Sequence, residues 1–134
     1  MKTILFVEDD PMSRDVISIR LKRANYAVVA VPDGYQALSA VLSQTFDLIL
    51  LDMSMPGISG WETAAKLKES PDTADIPILG LSAHTMSTDR QKALDAGCSE
   101  YDSKPINLNR LLGKIEALLT PSSGSQISAP RGAG

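Results

Sequence analysis

Six side chains able to do acid, base or phosphoryl chemistry stand directly after short strand-like stretches of this chain. Ile4-Leu5-Phe6-Val7 runs into Glu8-Asp9-Asp10, and Leu48-Ile49-Leu50-Leu51 into Asp52. Ile76-Pro77-Ile78-Leu79-Gly80-Leu81 runs into Ser82, and the polar stretch 98–103 into Lys104-Pro105. Carboxylates crowded together raise one another's pKa and are unstable as a set of anions. A hard divalent cation removes that conflict, and Mg2+ takes one or two carboxylates while keeping waters for a phosphate. A carboxylate can also attack phosphorus to give an aspartyl phosphate. Such a transfer depends on positioning and charge neutralisation more than on covalent help from the protein. Asp52 is the best nucleophile candidate, since it falls between the acidic cluster and the Ser82/Lys104 pair. The Ser82 hydroxyl and the Lys104 ammonium are the groups that could hold the equatorial oxygens.

Each residue also has an ordinary reading. One Asp after a strand is usually a turn or a cap, and Asp10 before Pro11 reads as the cap of a helix. A lone Ser82 is a loop serine and a lone Lys104 a surface lysine. The joint placement at matching strand ends is what points to a site. By itself His84 reads as a solvated loop residue, Cys98 as a small buried hydrophobe, and Trp61 as packing for its helix.

The elements that must position these groups are legible in the apolar pattern. Ile4-Leu5-Phe6-Val7, Ala27-Val28-Val29-Ala30-Val31, Leu48-Ile49-Leu50-Leu51 and the run around Ile78 are continuous rather than alternating. Such runs predict strands covered on both faces, hence a parallel sheet. The stretch 98–103 is polar and predicts an edge strand. Between them, Asp10-Pro11 opens a helix with Val16, Ile17, Leu21 and Ala24 as its buried stripe, and Asn25 closes it in a left-handed conformation. Asp33 opens a second helix with Ala37, Leu38, Val41 and Leu42 at core spacing. Ser59-Gly60-Trp61-Glu62 fits a capping box for a third. Residues 87–96 give a fourth with little apolar surface, ended by Gly97 and loosely held. Leu108, Leu111, Leu112, Ile115, Leu118 and Leu119 mark the last helix.

Strand alternating with helix predicts an α/β fold, a doubly wound five-stranded parallel sheet with right-handed crossovers. In the flavodoxin-like (βα)5 order 2-1-3-4-5, strands one, three, four and five are consecutive, spaced about 4.8 Å. Their carboxyl ends then share the crevice where open sheets bind ligands.

The 134 residues suit one domain, with 43% hydrophobic and 22% charged residues. Thirteen basic against sixteen acidic residues give a net charge of −3, leaving no basic stripe for a phosphate backbone, so no direct nucleic-acid ligand is expected. One Cys excludes an internal disulfide, and one Cys with one His do not make a zinc site. No apolar run approaches a membrane span and no secretory leader is visible, so a cytoplasmic chain with no membrane partner is expected. After Leu119 the composition turns to Ser, Gly, Pro and Ala. Residues 120–134 therefore read as a disordered tail or linker stub beyond a domain at 1–119.

These motifs resemble the CheY-like receiver domain of two-component response regulators. The matching pieces are Val7-Glu8-Asp9-Asp10-Pro11, Leu50-Leu51-Asp52-Met53-Ser54-Met55-Pro56-Gly57 with Gly60, Leu81-Ser82-Ala83, and Ala96-Gly97 leading through Tyr101 to Ser103-Lys104-Pro105. The Ala96-Gly97-Cys98 and Ser103-Lys104-Pro105-Ile106 stretches, with no output domain following, look most like stand-alone, DivK-type regulators. The resemblance implies a phosphorelay switch rather than a metabolic enzyme. Asp52 is then the phosphoacceptor for a phosphohistidine on a sensor histidine kinase or phosphotransfer protein. Mg2+ (or Mn2+) is held by Asp9, Asp52 and the backbone carbonyl of Ser54, with Glu8 acting through water. Lys104 pairs with the phosphoryl group, Ser82 moves toward it, and Tyr101 changes rotamer as Ser82 moves. Pro105 follows a cis peptide, and Ser54 with His84 tune hydrolysis of the acyl phosphate. A downstream protein is bound by the face of the fourth helix, fifth strand and last helix.

Two other classes fit the residues less well. A haloacid-dehalogenase-like phosphatase places a second acid two residues after its nucleophile, where this chain has Ser54. A flavodoxin-type flavin module needs a phosphate loop after the first strand, where Glu8-Asp9-Asp10 would repel a phosphate without metal.

Overall fold

The computed structural model describes residues 1–55, 57–82, 91–92 and 94–120. Five parallel strands alternate with helices. They are β1 (Thr3–Val7), α1 (Pro11–Arg23), β2 (Ala27–Val31), α2 (Gly34–Ser43), β3 (Leu48–Asp52), α3 (Gly60–Glu69), β4 (Ile78–Ser82), β5 (Glu100–Ser103) and α4 (Leu108–Leu119). The sheet order is β2-β1-β3-β4-β5, the flavodoxin-like order expected for this class. Gln91, Lys92, Leu94 and Asp95 are helical. The expected loose hold on the 87–96 helix, the expected tail at 121–134, and His84, Ala83 and Pro56 lie outside the described residues.

Alternation along the inner strands feeds two cores. Leu5, Val7, Ile49, Leu51 and Ile78 pack on one face with Ala37, Ala64 and Leu67. Ile4, Phe6, Leu48, Leu50, Leu79 and Leu81 pack on the other with Ile17, Leu21, Leu111 and Ile115. Burial on both faces explains why these strands read as unbroken apolar runs.

The caps follow the sequence. Asp10 accepts from the Ser13 N–H at 2.9 Å to open α1, and Asp33 accepts from Gln36 N–H at 2.8 Å to open α2. Ser59 and Glu62 form the reciprocal capping box of α3. Asn25 takes the left-handed conformation (φ 73°) that closes α1. Asn107, not singled out by the pattern, caps α4.

Three expectations are corrected. Val16 is 51% exposed and Leu42 88% exposed, so neither belongs to a buried stripe. Val16 lies about 100° around α1 from the buried Ile17, and Leu42 sits at the last turn of α2, where the sheet no longer covers it. β2 is not covered on both faces: it is an edge strand paired to β1 alone, and only Val31 is buried.

Candidate functional site

The register of the parallel ladders delivers the predicted groups to one end of the sheet. Val7 pairs with Leu51, so Glu8 and Asp9 follow β1 just where Asp52 ends β3. Asp52 pairs with Leu81, and Ser82 with Ser103, which places Ser82 and Lys104 next along the same edge. Glu8, Asp9 and Asp52 each offer a carboxylate oxygen, and these oxygens all lie within 4.8 Å of one another. Glu8 and Asp52 are buried and Asp9 is exposed, so the cluster opens to solvent on one side.

Lys104 binds the two buried acids together. Its ammonium donates to Glu8 Oε1 at 3.0 Å and to Asp52 Oδ2 at 3.1 Å. The other Asp52 oxygen, Oδ1, accepts the Ser54 N–H at 3.0 Å. The other Glu8 oxygen, Oε2, accepts the Asp10 N–H at 3.2 Å. Burial pushes the Glu8 carboxyl up to about 7; the Lys104 hydrogen bond opposes the rise and the Asp52 charge adds to it. Partial burial pulls the Lys104 ammonium down, but the Glu8 hydrogen bond and the Asp52 and Glu8 charges outweigh it and leave it raised. A buried acid pair with one shared cation between them is a charge set that a divalent ion fits: hard oxygen donors, close together, with an open side.

The remaining site residues fall as follows. Asp10 caps α1 and is not part of the cluster, which is the ordinary role expected of it. Ser82 and Tyr101 are buried, Tyr101 within the core on the α2/α3 side. The Lys104–Pro105 peptide is cis. Cys98 is buried, and burial drives its thiol up to about 12 against the opposing charge of Lys68, so it is an inert packing residue. Trp61 packs against the core, with the Lys92 ammonium 4.8 Å above its ring.

Two features escape the sequence pattern. Arg14 Nη1 donates to the Glu8 carbonyl at 2.9 Å, holding the loop that carries Asp9. A second polar network joins Asp102 on β5 to Arg110 on α4. A charged residue in the polar β5 run is visible in the sequence, but which helix residue answers it is set by packing.

Comparison with known proteins gives the same architecture. The phosphate regulon transcriptional regulatory protein PhoB of Pseudomonas aeruginosa is 34% identical over 96% of this chain and 56% of its own length. The chain spans about half the length of the curated relatives it matches. The chemotaxis protein CheY4 of Vibrio cholerae superposes with a TM-score of 0.85 at 29% identity, covering 89% of this chain and 99% of CheY4. The receiver domain of the sensor histidine kinase PA1611 of P. aeruginosa, solved with a magnesium ion coordinated in its active-site cleft, gives 0.82 at 30% identity, covering 88% and 97%. Residues 4–116 match the response regulator receiver domain. With that match across the sheet and the acidic strand ends, the chain belongs to the response regulator receiver domain family.

Proposed function

We propose that this chain is a phosphorylation-dependent signalling switch in which Asp52 accepts a phosphoryl group from a phosphohistidine of a sensor histidine kinase or phosphotransfer protein. The observation that carries the reading is the convergence of Glu8, Asp9 and Asp52 within 4.8 Å, with the Lys104 ammonium on two of them. An Asp52 oxygen forms the bond to phosphorus as the phosphorus–nitrogen bond to the donor imidazole breaks, and the imidazole leaves with the bonding pair. Glu8, Asp9, Asp52 and the Ser54 carbonyl are the groups to hold Mg2+ (or Mn2+), which supplies charge neutralisation for the incoming phosphoryl oxygens. Lys104 then turns from the carboxylates to the phosphoryl group, and Ser82 donates its hydroxyl to it, with Tyr101 following. Moving a two-state switch from 1% to 99% takes about 5.5 kcal/mol of differential stabilisation. Charge-assisted hydrogen bonds of roughly 1.5–3 kcal/mol each supply that on a few contacts.

The downstream partner in this reading is a protein, bound by the face of residues 87–96, β5 and α4, rather than nucleic acid bound directly. Ser54 and His84 set the lifetime of the acyl phosphate. Residues 1–119 are the receiver unit and 120–134 a tail or linker; a stand-alone, DivK-type arrangement in the cytoplasm rests on the motifs at 96–98 and 103–106.

Labelling with acetyl phosphate, read by intact mass, tests the proposal. One phosphoryl group per chain is expected with Mg2+, none in EDTA and none in Asp52→Asn. Label on another acid, metal-independent labelling, or sustained turnover of small phosphate esters would each overturn it.

A further inference from the structure

We propose that Asp102, Arg110 and Lys114 form a clamp that positions the Lys104 ammonium, tying the acidic site to helix α4. The inference rests on the phosphoacceptor reading only for its rate measurement. β5 is an edge strand, held by β4 alone. The backbone leading to Lys104 would fray there without another support, and Pro105, with no N–H, cannot extend the ladder. That support comes from side chains. Asp102 Oδ1 accepts the Ser103 N–H at 2.8 Å and Arg110 Nε at 2.8 Å. Arg110 Nη2 reaches the Ser103 carbonyl at 3.4 Å, and Lys114 Nζ donates to the Tyr101 carbonyl at 2.7 Å. Lys114 Nζ also lies 3.9 Å from both Asp102 Oδ1 and Glu100 Oε1.

Two backbone carbonyls just before Lys104, those of Tyr101 and Ser103, are thus gripped from one face of α4 by side chains one turn apart, while Asp102 on β5 itself holds the Ser103 N–H. The Lys104 N–H meets the Ser82 carbonyl at 2.8 Å, which fixes the same point from the β4 side. A lysine carries its charge on a flexible four-carbon stem. Its ammonium can be held between Glu8 and Asp52 only if the Cα from which it starts is held first. Asp102 is buried, and its Oδ2 has no hydrogen-bond partner among the described residues. A bare fastening of helix to strand could be made by apolar side chains without placing a carboxylate there; what apolar groups could not do is hold the Ser103 N–H and carbonyl.

The test uses Arg110→Gln, whose side chain is 44% exposed in the parent, and Asp102→Asn, which keeps the volume and an acceptor oxygen. The Lys104 ammonium signal is followed by NMR in the unphosphorylated protein, assigned with Lys104→Arg. Labelling by acetyl phosphate, Mg2+ affinity and the melting temperature are measured alongside. The expected result is an ammonium signal moved toward that of a free lysine and labelling slowed about tenfold or more, as for a displaced reacting group, with no loss of Mg2+ affinity. A lower melting temperature with a parental ammonium signal and parental labelling rate would overturn the clamp. Should Arg110→Gln fail to fold, Asp102→Asn decides by the same readouts. If the parent itself takes no label at Asp52, the phosphoacceptor reading falls, and the ammonium signal still decides the clamp.

Discussion

The Glu8 carboxyl keeps its proton up to about 7, well above a solvated glutamate, because burial penalises the anion and the Lys104 hydrogen bond only partly offsets it. The unfolded chain gives up this proton near 4.5 and the folded chain near 7. Between those values the folded state binds more protons, so its stability falls as pH rises, and the loss is complete above about 7. Urea melts in EDTA should therefore show a lower midpoint at pH 8 than at pH 5, with Glu8→Gln removing Glu8's share of the fall. Mg2+ should raise the midpoint at pH 8 by binding the anion. Identical pH slopes for parent and Glu8→Gln would refute this. Asp10 differs from its neighbours: the hydrogen bond from Ser13 holds its carboxyl below the usual range, as befits a cap. Asp10→Ala should lower the melting temperature and leave Mg2+ binding intact. The placement of Glu8, Asp9, Asp52, Ser82 and Lys104 at one end of the sheet was legible in the sequence because each ends or closely follows a strand, and strand ends have a fixed place in a parallel sheet. Arg14 and Arg110 were not, because a helical arginine's partner depends on how the helix is rotated against the sheet.

Among the elements, α3 starts directly against the backbone at Asp52 and Met53, and Gly60 is what permits it. A Cβ there would stand 2.4 Å from Met53 Cα and 2.6 Å from the Asp52 carbonyl oxygen, both backbone atoms that cannot step aside. Gly60→Ala should cost about 1–3 kcal/mol by overpacking, visible in the urea midpoint, and should disturb the Asp52 loop; an unchanged midpoint would refute the contact. Gly113 in α4 is the opposite case, with nothing within 4 Å of the place its Cβ would take. Gly113→Ala should stabilise the protein by about 0.5–1 kcal/mol, and a loss instead would mean that the helix face is more crowded than the geometry shows. Caps and turn residues such as Asp33, Ser59 and Asn25 could be read locally, since each acts on backbone a few residues away. Val16, Leu42 and the exposure of β2 could not. An apolar residue next to a helical stripe carries the same sequence signal whether or not the sheet reaches far enough to cover it.

On the scale of the whole molecule, β1, β3 and β4 have neighbours on both sides, and β3 and β4 are buried throughout. Their amides should exchange with solvent last, and those of β2 and β5 earlier, in hydrogen-exchange measurements. Deleting residues 121–134 should leave the melting temperature unchanged; a large drop would place the domain boundary beyond 119. The fold class was legible because apolar runs alternate with helix-period stretches, and the order 2-1-3-4-5 came with the flavodoxin-like class rather than from the runs themselves, since β2 at the edge reads as apolar as the inner strands. Which partner the chain binds was not legible, because among the described residues no side chain of β5 or α4 carries a signature of what it meets. The span of the site along the chain, from Glu8 to Lys104, has a consequence for synthesis. A nascent polypeptide emerging from the ribosome holds its acids long before the ammonium that stands between them has been made. A truncated product ending before β5 therefore carries the acid cluster without its counter-charge, and the site is complete only when the last strand has been made.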